Sequence, residues 1–227
     1  MSVEQAFPKV AYWSANICPL CGEKKPVIAN GLITVGKDIK MCPDRGFSFC
    51  NCKNIWYTDW ANHDAEAEEE PEQPIEVFQW HLNKENIKNE GYGRNRILIC
   101  GNNGKKLKEE AERLGFDTKE HDRYDLIWSY HKIEHVDLPR KCLRQYYDML
   151  EKGGRLFLAT PDPFFIEFDN VYLWEHWKLR EHHIMWDMDS LIDEIESVGF
   201  RVGMAMRNTE VKVNKDMHLV FKKVVEP

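Results

Sequence analysis

Two kinds of apolar run alternate along the second half of this chain. Ile97–Cys100 and Leu126-Ile127-Trp128 are short and unbroken, which suits strands buried on both faces. Between them, Leu107, Ala111 and Leu114 recur at three- and four-residue spacing and predict a helix over 105–114, stopped by Gly115. A second helix is predicted over 139–152. Asp137 is its candidate N-cap, Pro139 suits its first turn, and Leu143, Tyr147 and Leu150 line its inner face. Gly153-Gly154 then hands the chain to an apolar strand that ends at Thr160-Pro161. A third helix is predicted over 189–198 from Leu191, Ile192 and Ile195, with Gly199 as its stop. Residues 201–207 and 217–225 read as an antiparallel strand pair at a sheet edge. Upstream, Phe78 and Leu82 pattern a weaker helix over 76–88. Strands alternating with helices predict an open α/β sheet, whose ligands bind beyond the carboxyl ends of its strands.

The spacing also predicts a gap. Residues 115–123 are all that separates the first helix from the strand at Tyr124. Parallel strands need a crossover of a dozen or more residues, so no further full-length parallel strand fits there. The strands at Ile97 and Tyr124 are therefore expected to be neighbours in one right-handed strand–helix–strand unit.

A length of 227 residues allows one ordinary domain and a small extra module. The expected layout is a cysteine-rich module over 1–60, an acidic linker and helix over 61–93, and the α/β domain over 94–227. A net charge of −7 gives no electrostatic footprint for nucleic acid. No apolar run approaches membrane-spanning length and the N-terminus shows no signal-peptide core, so a cytoplasmic location is expected. Five of the seven cysteines fall between Cys18 and Cys52, a crowding that points to metal rather than to a disulfide framework. Cys100 and Cys142 fall on a core strand and a helix, where packing is the expected role.

The chemistry-bearing residues sit where strands end. Gly101-Asn102-Asn103-Gly104 follows the first strand, and glycines at such a turn let backbone approach a ligand. His131, Glu134 and His135 follow the strand at Tyr124, and His182 returns later in the chain. His131–His135 spells H-x-x-E-H, the motif of inverted zinc peptidases. That motif needs a long helix, whereas here a strand precedes it and Pro139 restarts the chain.

Residues 124–135, 153–162 and 181–200 together resemble the class I S-adenosylmethionine-dependent methyltransferases, from about residue 94 to the C-terminus. The resemblance implies a Rossmann-like methyltransferase sheet, here reduced because its second and third strands are shortened or absent. It implies a loop that holds the methionine end of the cofactor. The candidate cofactor residues are Gly101, Asn102, Gly104, Asp122 and Ser129. Ile99 and Asn103 depart from the family pattern, and Asp122 also reads as a solvated turn residue.

Glu134, His135, His182 and Trp186 are similar to positions of the metal-dependent small-RNA 2′-O-methyltransferases, with His131 in place of a glutamate. That likeness implies a divalent cation at His131, Glu134, His135 and His182. Without metal, His135 or His182 would serve as a general base. Glu134, His135 and His182 are the candidate catalytic residues, and the acidic chain weighs against an RNA substrate.

Cys18-Pro19-Leu20-Cys21-Gly22 and Cys42 resemble the zinc module that precedes many sugar-modifying methyltransferases. Arg45 stands at the fourth ligand position, so the expected zinc set is Cys18, Cys21, Cys42 and Cys52, with Cys50 as the alternative fourth ligand. The aromatic stretch over 164–177 reads either as a lid over the acceptor or as core packing. The expected activity is methyl transfer to an oxygen or carbon acceptor, with a small molecule such as a sugar as partner. The alternative is a non-catalytic binding or assembly module. An oligomer that completes the pocket would also be compatible with the missing strands.

Overall fold

The structure is a computed structural model that describes residues 29–35, 38–49, 55–57, 75–84, 95–101, 104–136, 138–165, 176, 182, 184–207 and 216–224. The elements in chain order are β1 (Ala29–Val35), β2 (Asp38–Phe49), β3 (Ile55–Tyr57), α1 (Ile75–Lys84), β4 (Ile97–Cys100), α2 (Gly104–Arg113) and β5 (Tyr124–Tyr130). They continue with α3 (Pro139–Met149), β6 (Leu150–Pro161), β7 (Ile184–Met185), α4 (Met188–Ser197), β8 (Phe200–Arg207) and β9 (Asp216–Lys223).

Five strands form the main sheet in the order β4-β5-β6-β9-β8. β4, β5 and β6 are parallel, and β9 runs antiparallel to both β6 and β8. This bears out the reduced α/β sheet. β4 and β5 are direct neighbours, joined through α2. Where a further strand would flank β4, the described residues make a single parallel bridge, Arg96 to Asp117. It is closed by Ile97 N–H donating to Asp117 O at 2.9 Å and Asp117 N–H donating to Asn95 O at 2.8 Å. The chain then turns straight into β5, because residues 115–123 are too few for a second crossover.

Both faces of the sheet are covered, which explains the unbroken apolar strands. On one face Ile97, Ile99, Leu126, Trp128 and Phe157 meet Phe78 and Leu82 of α1 and Leu107 and Ala111 of α2. Helix α1 is thus part of the sheet's covering layer. On the other face Leu98, Ile127, Leu156, Leu158 and Leu219 meet Leu143 and Tyr146 of α3 and Leu191 and Ile195 of α4.

Polar ties fix the ends. The Arg96 guanidinium reaches Asp125 at 3.2 Å and Glu151 at 2.8 Å, binding the amino ends of three strands together. Lys223 Nζ donates to Tyr147 O and Leu150 O at 2.7 and 2.8 Å, satisfying carbonyls at the C-terminus of α3. Helix α4 is capped by Asp187, whose carboxylate accepts from Ser190 N–H at 3.2 Å. Helix α3 has Leu138 at its cap position, with no side-chain cap. The proposed cap Asp137 lies outside the described residues.

A second sheet has the order β1-β2-β3-β7 and is antiparallel throughout. Its first three strands come from the cysteine-bearing N-terminal segment. Its fourth comes from the segment between β6 and α4, with Ile55 opposite Met185 and Trp56 opposite Ile184.

Candidate functional site

The carboxyl ends of β4, β5 and β6 lie side by side, so the residues that follow them converge. Gly101 leaves β4 with φ +117°, a conformation that L side chains rarely adopt. A Cβ there would stand 2.1 Å from the carbonyl oxygen of Tyr130 at the end of β5. Glycine is therefore demanded twice, by dihedral and by the close approach of the neighbouring strand. Gly104 begins α2, and a Cβ on it would meet nothing within 4 Å. Gly101 thus abuts β5, and Gly104 faces open space at the start of a helix, where backbone N–H groups lack intrahelical partners.

At the end of β5 the chain makes a sharp turn. His131 takes φ +44°, with its N–H donating to Ala159 O at 3.0 Å. A short 3₁₀ turn over Ile133–His135 follows and places Glu134 and His135. The Thr160 hydroxyl, at the tip of β6, donates to Glu134 Oε2 at 3.0 Å. His182 arrives from a distant part of the chain just before β7. Ligand atoms of Glu134, His135 and His182 all lie within 4.8 Å of one another. The His135 and His182 rings sit 4.7 Å apart and nearly perpendicular. Glu134 and His182 are buried and His135 is half-buried. A carboxylate and two imidazoles at this spacing are a donor set that suits a divalent transition metal.

His131 does not join them, which corrects its place in the expected cation site. Its Nε2 lies 3.0 Å from Oδ1 of Asp216, the first residue of β9. His176 Nε2 stands 3.9 Å from the same oxygen, and the Tyr130 hydroxyl donates to Oδ2 at 3.0 Å. Burial alone would raise the Asp216 carboxyl's pKa. His131, His176 and His218 outweigh it and hold the carboxyl below its ordinary value. The left-handed backbone at His131 turns the side chain from the path of Glu134 toward β9. The sequence alone does not mark Asp216, Thr160 or His176 as site residues. The one available signal for Asp216 was an acid heading an apolar strand.

The remaining candidates are dispersed. Ser129 is buried, and its hydroxyl lies 3.2 Å from that of Tyr146 on α3, so its side chain is engaged beneath the sheet. Asp122 is exposed in the turn before β5. Asn102 lies outside the described residues, as do Cys18, Cys21, Cys50 and Cys52, while Cys42 falls within β2. Cys100 and Cys142 are buried, and burial pushes their thiols up to about 11 and about 12. Both stay protonated and inert, as packing residues should.

A family model described as a methyltransferase domain matches residues 75–203, from α1 into β8. The chain belongs to the methyltransferase domain family. Its fold is the Rossmann-like α/β sheet of the class I S-adenosylmethionine-dependent members, with the loops that follow β4, β5 and β6 at one end of the sheet. The methyltransferase match takes in α1, consistent with Phe78 and Leu82 packing on the sheet.

A segment of 61 residues is 36% identical to the mitochondrial ubiquinone biosynthesis O-methyltransferase of Candida albicans, covering 26% of this chain and 19% of that protein. The chain thus spans about a fifth of the length of the curated relative it matches. Among solved structures, an S-adenosylmethionine-dependent methyltransferase from Clostridium acetobutylicum aligns with TM-score 0.48 and 8% identity over 68% of this chain and 94% of that one. A chain of the complex between the Haloferax volcanii Trm112 methyltransferase activator and a methyltransferase aligns at 0.47 and 12%, over 67% and 92%. Burkholderia thailandensis 1,6-didemethyltoxoflavin-N1-methyltransferase, solved with S-adenosylhomocysteine, aligns at 0.43 and 11%, over 82% and 98%.

The residues present fit the cofactor at its methionine end. Gly101 and Gly104 give backbone access at a helix start, and the open volume beside Gly104 leaves space for a ligand group. Among the described residues, the Asp117 bridge and the exposed turn that carries Asp122 stand on the open side of β4. Among the described residues, no helix is long and apolar enough to cross a membrane.

Proposed function

We propose that the chain transfers a methyl group from S-adenosylmethionine to an oxygen or carbon acceptor, a sugar hydroxyl being the favoured class. The observation that carries this reading is the convergence of Glu134, His135 and His182 from two distant segments, beside the carboxyl end of β5. Burying a carboxylate is costly unless it is paired and hydrogen-bonded. A purely structural module has little use for that arrangement at the carboxyl ends of parallel strands.

S-adenosylmethionine, when bound, supplies an electrophilic methyl on a sulfonium sulfur that departs as a neutral thioether. The backbone at Gly101 and Gly104 would hold its methionine end. Glu134, with Thr160 fixing its Oε2, orients the acceptor and places negative charge beside the hydroxyl that must lose its proton. Without metal, His135, the least buried of the three, takes that proton at a ring nitrogen. A divalent cation held by Glu134, His135 and His182 would take the place of that base by lowering the hydroxyl's pKa. Zinc at Cys18, Cys21, Cys42 and Cys52 is proposed only as a structural ion. The test is methyl transfer to a panel of sugars with and without Mn²⁺. Glu134→Gln should lose at least ~100-fold in kcat/KM, the scale of removing a positioned acid–base group. It should keep the wild-type melting temperature, since Gln still accepts from Thr160.

A second reading is a cofactor-free binding or assembly module. One observation favours it: among the described residues, a single bridge at Asp117 stands where strands would flank β4.

A further inference from the structure

The candidate cation site is assembled from both sheets. Glu134 and His135 hang from the end of β5, and Thr160, which fixes Glu134, ends β6; both strands belong to the five-stranded sheet. His182 comes from the segment that leads into the other sheet. It precedes by two residues β7, and among the described residues β7 pairs within the four-stranded sheet, against β3. A strand of two residues has no ladder of its own, so its backbone is fixed by its partner and by the core below it. Ile184, Met185 and Trp186 are all buried, with Ile184 and Trp186 in the same apolar cluster as Ile133 of the 3₁₀ turn. The N-terminal segment, remote in sequence from the reaction chemistry, thereby supplies the rail on which His182 is mounted.

We infer that β3 is a positioning element of the cation site: its pairing with β7 sets His182 against Glu134 and His135. The cysteine-bearing hairpin is then mechanically coupled to the acceptor end of the crevice, through β2 to β3 and β3 to β7. Events in the hairpin, such as gain or loss of an ion at Cys42, would be felt as a change in divalent-cation affinity at His182, 140 residues later in the chain. Outer groups that orient metal ligands typically set affinity over 10–100-fold, and a strand that orients one of three ligands acts on the same scale. This inference rests on the reading of Glu134, His135 and His182 as a cation site. The pairing of β3 with β7 can be tested apart from it.

The experiment uses the full chain with two variants, Ile55→Pro and Trp56→Pro. Successive residues of a central strand direct their N–H groups to opposite neighbours, so one variant strikes the β7 side and the other the β2 side. Mn²⁺ binding is read by calorimetry, and S-adenosylhomocysteine binding serves as the control, because Gly101 and Gly104 belong to the other sheet. The expected result is a 10–100-fold loss of Mn²⁺ affinity in at least one variant, with cofactor-analogue affinity unchanged. Wild-type Mn²⁺ affinity in both variants would overturn the inference.

Should the wild-type chain take up no Mn²⁺, the cation reading fails, and the ring resonances of His182 decide the positioning claim instead. Displaced resonances in a variant uphold it, and unchanged ones in both overturn it. Hydrogen exchange on the wild-type chain covers the case where a variant does not fold. The amides of Ile184 and Met185 should open together with those of Ile55–Tyr57, and independent opening overturns the inference.

Discussion

Nε2 of His131 lies 3.0 Å from Oδ1 of Asp216, joining the end of β5 to the start of β9 with both side chains shut off from solvent. The contact explains why the H-x-x-E-H segment does not close on one ion. Its first histidine answers a buried carboxylate, and its last two chemical groups face His182.

Removing that carboxylate's charge should be costly. Asp216→Asn keeps the size and leaves His131, His176 and the Tyr130 hydroxyl around an uncharged amide. Breaking a buried pair by neutralising one partner costs about 3–5 kcal/mol, and urea denaturation should show a loss of that order. Because the folded carboxyl sits below its ordinary value, its contribution is present above the unfolded pKa and is lost as pH falls through the folded one. The wild-type and variant curves should therefore converge in strong acid, below about pH 4.

The His81–His218 pair sets a second, milder acid limit. Their ring nitrogens are 3.0 Å apart between α1 and β9, and burial pushes His218 down to about 4. An unfolded histidine titrates near 6.5, so the unfolded chain holds the extra proton between those values. Stability then falls as pH drops through that window, by on the order of 3 kcal/mol. Replacing both partners, His81→Phe with His218→Leu, avoids orphaning either ring and should flatten the slope between pH 6.5 and 4. An unchanged slope would place the titrating group elsewhere.

The two glycines of the β4–α2 loop should respond in opposite senses. Gly101→Ala forces a side chain into φ +117° and into the Tyr130 carbonyl, and should destabilise by about 2 kcal/mol or more. Gly104→Ala meets open space at a helix start and should gain up to about 1 kcal/mol. If the cofactor's methionine end occupies that space, the same methyl should weaken S-adenosylhomocysteine binding at least ~10-fold, the effect of about 1.4 kcal/mol. Thermal melts and calorimetry separate the two effects.

Much of the sheet was legible because its strands are buried on both faces. Unbroken apolar runs at Ile97 and Leu126, and helical stripes at Leu107 and Leu143, leave little choice of element. The direct pairing of β4 with β5 was legible too, since the nine residues 115–123 cannot make a second crossover. What the sequence hid is long-range geometry. Nothing local to Asp216 says that it meets His131, because that contact depends on β9 entering the sheet beside β6. Nothing local to Ile184 says that it pairs with Trp56 of the N-terminal segment. Ser129 shows the limit of reading a strand end from its residues alone. Its backbone stands opposite Cys100 beside the glycine loop, yet its hydroxyl turns under the sheet to Tyr146.

The most direct test of the central claim is a calorimetric titration of the full chain with S-adenosylhomocysteine, with and without Mn²⁺. Binding in the micromolar range is the expected result, and it would show that β4, β5 and their loops make a working cofactor pocket without the flanking strands. No binding up to millimolar concentration, in a folded sample, would contradict the methyl-transfer reading and favour the cofactor-free module.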